Sequence, residues 1–547
     1  MLKFLVFQDG QPASEWPLRN VYLIGSDGSA MRGEIGFENG MIFCEKREIG
    51  TAALVLQHRV GELGELTLQT CLLPERDEPY LLNLELARHR LMLLLGKLED
   101  WGEFELDSEH PVSKRVQRAR GLFLEALCAQ GNDSVRTDEL AQQCLAAALD
   151  GSEELALTHA EELLARRKAS GTFRHAIGCG ISLEHTTDRV RNCIQGGFDF
   201  LQLPTPWRAL APEEGDYRWA LTDRWVEWAA KSRLPLVAGP ALAFDPVNLP
   251  DWLYIWEHDY ETIRDLLYEH IERLMDRYQA AVSLWKVVSG LHVNSHFPFN
   301  FDQLMDITRM TCMLVKKKAP QAKAMIEIRE PFGEYYASNP RSIPPMMYVE
   351  LIVQSGIPFD GFAVHLPMGQ ARPGQYTRDL MQISNLLDQF SGYGKPVYLT
   401  VGAPSGPVTE MMIAAEDSRQ PVDASSGFWR RPWSEVVQSH WLEAVLQIAL
   451  SKPIVEAVAW QDLMDDPSME LPLSGLITEN LQPKPALSRL ATFRRNLAAP
   501  RPGETVGELE QASAGSGSPI LNAPPPDAAP GGATATQGQP GESDRAD

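Results

Sequence analysis

Carboxylates crowd one short stretch of this chain, Glu327-Ile328-Arg329-Glu330-Pro-Phe-Gly-Glu334, and Asp462 and Asp465 form a second group much further along. Two carboxyl groups that hold a proton with different strength can serve as general acid and as nucleophile or base, which makes Glu327, Glu330 and Asp462 candidates for that chemistry. In an extended strand Glu327 and Arg329 point to one side, and Ile328 and Glu330 to the other. The plainer reading is that Arg329 is paired with these carboxylates and the remaining charges are solvated loop groups. His292 and His296, near Asn294, form another cluster, but two histidines make a metal site only with carboxylates brought from another loop. The seven cysteines include no CxxC pair. They read as packed thiols in a reducing compartment, and the sequence calls for no metal and no cofactor.

The elements that must position these residues repeat. From residue 173 onward, short apolar runs at 176–181, 198–203, 236–244, 284–289, 324–328, 361–366, 397–401 and 455–460 alternate with amphipathic stretches such as 222–230, 260–278, 301–317 and 434–448. Eight strand–helix units, with strands apolar on both faces, define a (β/α)₈ barrel of α/β class. A doubly wound open sheet is the alternative, but Gly178-Cys-Gly180 lies inside the first strand and lacks the third glycine of a phosphate loop.

Before the barrel, residues 1–110 read as a β-sandwich-like module of short strands, the last at 80–86, with the hairpin pair Asn39-Gly40 between two of them. Residues 111–170 read as a helical connector in which Asp150-Gly151-Ser152 ends one helix and caps the next. The barrel occupies 171–497, and 498–547, rich in Pro, Gly, Ser and Ala, reads as a disordered tail. A formal charge of -23 argues against nucleic acid and anionic membranes as partners. The apolar N-terminal run stops at Gln8 and Asp9, short of the ~7–15 residues of a signal sequence. No run approaches the ~18 residues of a membrane span, so a cytoplasmic protein is expected.

Within the barrel, Gly215-Asp-Tyr217-Arg-Trp219 with Asp223, Leu249-Pro-Asp-Trp252, His270-Ile271 followed by Trp285-Lys-Val-Val288, Asp360-Gly361-Phe362, Lys395-Pro-Val-Tyr-Leu-Thr400, and Trp460 with Gln482-Pro-Lys-Pro-Ala486 stand in one order. Together they resemble glycoside hydrolase family 10, the xylanases. The resemblance implies a barrel that acts on oligo- or polysaccharide of the β-glycan class, through an acid/base glutamate on the fourth strand and a nucleophilic glutamate on the seventh.

The chain departs from that pattern where the chemistry belongs. The family's Trp-Asp-Val-Val-Asn-Glu reads Trp285-Lys286-Val287-Val288-Ser289-Gly290, and its Thr-Glu-Leu-Asp reads Thr400-Val401-Gly402-Ala403. Gly290 and Val401 therefore stand at the acid/base and nucleophile positions. Gln202-Leu-Pro-Thr-Pro206-Trp207 and Gly239-Pro240 replace sugar-binding elements. Trp207, His365 and Trp460 remain as the substrate-binding residues the resemblance offers, and for the two tryptophans a core role competes with ring stacking. Three functions follow: a glycan-binding barrel with little or no hydrolysis, an active hydrolase with relocated carboxylates such as Glu330 and Asp462, or a scaffold whose protein partner binds the N-terminal module or the tail.

Overall fold

The computed structural model describes residues 1–47, 49–103, 106–170, 176–408, 425–466 and 469–498; the stretch read as a tail falls, from residue 499, outside the described residues. Eight parallel strands close on themselves. They are β1 (Ala176–Gly180), β2 (Phe200–Leu203), β3 (Leu236–Ala238, resumed at Leu242–Ala243 after Gly239-Pro240), β4 (Leu284–Ser289), β5 (Lys323–Ile328), β6 (Gly361–Pro367), β7 (Val397–Gly402) and β8 (Val455–Trp460). Closure runs through β8 beside β1 (Ala457↔Ala176) and β3 beside β4 (Val237↔Leu284). Helices follow the strands and cover the sheet, giving the (β/α)₈ barrel the alternating pattern predicts.

Strand alternation divides the side chains into two sets. Ala176, Phe200, Val237, Leu284, Met325, Ala363, Tyr398, Ala457 and Ala459 form a cluster of their own, the apolar filling of the barrel's lower interior. The intervening residues, such as Ile326, Val364, Leu399, Val401, Val458 and Trp460, belong to the larger core between sheet and helices.

The N-terminal region forms two larger, mainly antiparallel sheets, sandwich-like as expected, and a short hairpin of Phe7–Gln8 with Gln11–Pro12. One orders Tyr80–Leu81, Leu2–Leu5, Met41–Lys46 and Gly33–Glu38, the first of these pairing in parallel with its neighbour. The other contains Gly64–Gln69, Ala53–Arg59, Tyr22–Ile24 and Ala30–Met31, and its edge is completed by Phe428–Trp429 from the loop after β7. The strand expected at 80–86 lasts only to Leu81. Helix α1 (Leu82–Asp100) takes over, because Leu, Glu, Ala, Arg and Met are strong helix formers.

Helix α2 (Pro111–Ala129) is followed by α3 (Ser134–Ala169), which runs unbroken through the expected stop at Asp150-Gly151-Ser152. Those three residues make contacts instead. A Cβ on Gly151 would stand 3.2 Å from both Arg115 Cβ and Leu94 Cδ2, so glycine lets the helices approach closely. Ser152 Oγ donates to Leu149 O at 2.9 Å, and Asp150 pairs with Arg115 and with Arg430 of the barrel. No helix among the described residues is long and apolar enough to cross a membrane.

Candidate functional site at the barrel mouth

Above the apolar filling, the inward positions turn polar. Lys286, at the second inward position of β4, donates to Glu327 Oε1 of β5 at 2.6 Å and to Thr400 Oγ1 of β7 at 3.0 Å. The β4 ladder shifts register between Lys286 and Val288, which returns Ser289 to the inside, where its hydroxyl donates to Glu327 Oε2 at 2.6 Å. Both carboxylate oxygens of Glu327 are thus occupied. Burial alone would raise its pKa, but Lys286, His365 and Arg329 hold it down at about 2.

One turn of the barrel higher, Arg329 follows β5. Its guanidinium pairs with Glu470, from the loop after β8, and reaches Asp245, from the loop after β3, at 3.4 Å. Gln375 Nε2 donates to Glu470 Oε1 at 2.9 Å, and His365, inward on β6, stands 3.6 Å from its other oxygen. Burial keeps His365 below the ordinary imidazole range, with Glu470 opposing that shift. Arg329, Arg372 and His365 keep Glu470 ionised against its burial.

The other two carboxyl candidates behave differently. Glu330 adopts a left-handed backbone (φ 47°), lies against Gly374, and has one buried oxygen without a hydrogen-bond partner among the described residues. Burial raises its pKa to about 8, helped by Glu334 and Glu470 and opposed by Arg329. Asp462 accepts from Ser474 Oγ at 2.6 Å, and burial with neighbouring Glu470, Asp466 and Asp465 lifts it to about 7. Both can carry a proton near neutrality, as a general acid must. Neither is a ready nucleophile there.

The positions matched to the catalytic pair are placed by the backbone. Gly290 follows β4 in the left-handed region (φ 69°), and a Cβ there would meet Arg329 Cδ at 3.3 Å. Val401 corrects the motif-based placement. Tyr398 fills the interior and Thr400 bonds Lys286, so the intervening Leu399 and Val401 face the helices, and Val401 is buried there. The inward positions at this strand end are Thr400 and, by alternation, Gly402.

The tryptophans are packed. Trp207 stacks on His270 at 4.3 Å and meets Trp252 edge-on at 5.6 Å. Trp460 faces the helices, donates to Ser474 O at 2.8 Å and lies edge-on to Trp441. Each is only 3% exposed, too little for a sugar ring to stack on either. His292 stacks on Tyr348 and holds Arg329 O at 3.0 Å, whereas His296 contacts Tyr254, so the two histidines serve different neighbours. Among the described residues, no three His, Cys, Asp or Glu side chains converge as a metal site would require. Phe428 and Trp429 pair with Glu65 and Gly64 at the edge of an N-terminal sheet.

The closed (β/α)₈ barrel carries its converging acids and bases at the C-terminal ends of its strands, the face where barrels of this fold hold their sites. The profile described as Glycosyl hydrolase family 10 matches residues 168–492, more than half of the chain, and the chain belongs to that family. It is 22% identical to endo-1,4-beta-xylanase B of Thermotoga neapolitana over 269 residues, 47% of this chain and 67% of that protein. Among solved structures it is similar to native xylanase 10B from Thermotoga maritima, with 16% identity, a TM-score of 0.46, and coverage of 61% of this chain and 98% of that one. It is also similar to native xylanase10C from Cellvibrio japonicus, with 14% identity, a TM-score of 0.44, and coverage of 58% of this chain and 70% of that one.

Proposed function

We propose that this chain is a carbohydrate-directed member of its family that holds oligo- or polysaccharide of the xylan and β-glycan class with little or no hydrolysis. The observation that carries this reading is the neutralised mouth. Glu327 is engaged by Lys286 and Ser289, and Glu470 by Arg329 and Gln375. A retaining hydrolase needs an ionised nucleophile ~5–5.5 Å from a protonated acid, and a nucleophile must be free to attack. Here the ionised carboxylates are occupied and the protonated ones are buried. A ring of amide, imidazole and guanidinium groups over an apolar floor suits the recognition of hydroxyls. Seven unpaired cysteines favour a reducing compartment, so we assign the protein to the cytoplasm.

The second reading is hydrolysis by relocated carboxyls. It is favoured by the raised pKa values of Glu330 and Asp462, either of which fits an acid. One experiment separates the two. Purified protein is assayed for retention on insoluble xylan and for turnover of aryl β-xylosides and other activated aryl glycosides. Retention without turnover is expected. Turnover abolished by Glu330→Gln would establish the relocated mechanism, and neither retention nor turnover across a panel of β-glycans would end both readings.

A further inference from the structure

A cavity of about 550 Å³ lies away from the mouth, between the N-terminal sheets, α1 and the far side of the loop after β5. Its size falls in the ~300–1,000 Å³ range of small-molecule sites. Tyr22 and Ser29 come from the N-terminal module, His89 from α1, Phe332 from the β5 loop, and Asn385 from the helix Leu380–Gln389. We propose that this cleft is a second binding site, for a short neutral saccharide.

Three observations lead there. First, the cations of the lining are already neutralised within the protein: Arg90 is bidentate to Asp379, at 3.0 and 2.5 Å, and Arg378 is paired with Glu334. Burial beside Arg90 keeps His89 neutral, with a pKa of about 4. A phosphate or carboxylate therefore finds no free charge to pair with. Second, uncharged polar side chains that are not fully buried line the cleft from both sides, Ser29 and Gln69 from the N-terminal module and Asn385 and Gln389 from the helix Leu380–Gln389. Hydroxyl and amide groups both donate and accept, which suits the hydroxyls of a neutral sugar. Third, Pro345 and Met346, beside the Phe332 ring that carries the Arg378 guanidinium at 4.3 Å, give the cleft an apolar wall against which the C–H face of a sugar ring would pack. The inference shares only its ligand class with the function proposed for the mouth; none of the three observations uses a mouth residue.

The test is calorimetric titration of the full chain with xylotriose and cellotriose, with glucuronate and inorganic phosphate as charged probes. Asn385→Leu removes one of the amides and Ser29→Trp fills the cleft, and both variants are checked for an unchanged thermal midpoint. Gln375→Ala perturbs the mouth alone. Binding of a neutral trisaccharide at one site is expected, weakened at least ~10-fold by each cleft variant and unchanged by Gln375→Ala. Absence of trisaccharide binding, preference for the charged probes, or binding that survives both cleft variants would overturn the site. Retention on insoluble xylan, measured on the same variants, reads the mouth separately. Retention lost in Gln375→Ala but kept in the cleft variants, with no trisaccharide effect in the latter, leaves the proposed function standing while this inference fails.

Discussion

Arg329 Cδ lies 3.3 Å from where a Cβ on Gly290 would stand, so the arginine occupies the space an acid/base side chain at that position would need. The relationship is reciprocal. Without a side chain at Gly290, the Arg329 stem passes close to that backbone and its head spans from Asp245 to Glu470. An internal ion-pair network of Arg329, Asp245 and Glu470 thus lies beside Gly290 at the mouth.

The first prediction follows directly. Gly290→Glu will not create a hydrolase. A non-glycine residue in left-handed backbone costs about 1–2 kcal/mol, and the new side chain must displace Arg329 from two carboxylates. Urea unfolding should show the loss of stability, and aryl β-xyloside turnover should stay at background. Turnover by this single variant would sink the idea that Arg329 blocks the position.

Lys286 and Glu327 supply the second prediction. Both are about 3% exposed, and Lys286 is the cation that bonds Glu327. Removing one partner of a buried pair leaves an uncompensated charge, typically costing about 3–5 kcal/mol, whereas replacing both can be nearly neutral. Lys286→Met should therefore destabilise strongly, and Lys286→Met with Glu327→Leu should recover most of the loss. Chemical denaturation of the two variants and the double variant measures the coupling; additive losses would show that the pair does not act as a unit.

Which features the sequence discloses depends on how local their causes are. The eight barrel strands are legible because each is a short run apolar on both faces, and the motif order carries the family. The continuation of α3 through Gly151 is not legible, since the reason for that glycine is the approach of Arg115 and Leu94 from other helices. The strand Phe428–Trp429 is two residues long and exists only because a distant sheet edge receives it. At the site, Glu327, Glu330 and Arg329 are visible as a cluster, but their partners Glu470, Asp245 and Gln375 sit in loops with no local signal. Val401 shows a different limit: matching a motif identifies a position along a strand, but only the pattern of contacts tells which face it occupies.

The third prediction concerns pH. Glu330 is raised from 4.5 to about 8 and Asp462 from 3.8 to about 7, chiefly by burial. A group whose folded pKa is raised keeps its proton in the folded state while the unfolded chain releases it, so stability falls as pH rises between the two values. The contribution of these two carboxyls should be lost between about pH 4 and about pH 8, at most about 4–5 kcal/mol each at roughly 1.4 kcal/mol per unit of difference. His58, His89, His270 and His292, kept neutral by burial, meanwhile add stability as pH rises toward 6.5. Glu330→Gln removes one of the two titrations and should flatten the upper part of the curve. Denaturant midpoints at half-unit pH steps on the parent and on Glu330→Gln measure it as a difference, and two curves that run parallel from pH 4.5 to about pH 8 would contradict the assignment.

The fourth prediction concerns the union of module and barrel. Arg90 of α1 is bidentate to Asp379, a fully buried carboxylate that also caps the helix Leu380–Gln389. Glu153 of α3, equally buried, accepts from Trp429 Nε1 at 2.8 Å and pairs with Arg430. With a shared sheet edge at Phe428–Trp429 as well, neither unit can unfold without exposing charged groups of the other. We therefore expect one calorimetric transition for residues 1–498, not two. Arg90→Met leaves Asp379 buried without its cation and should lower that single transition by an amount corresponding to about 3–5 kcal/mol. Two resolved transitions in the unsubstituted protein, or an Arg90→Met variant that melts where the parent does, would show that the module and the barrel stand independently despite these contacts.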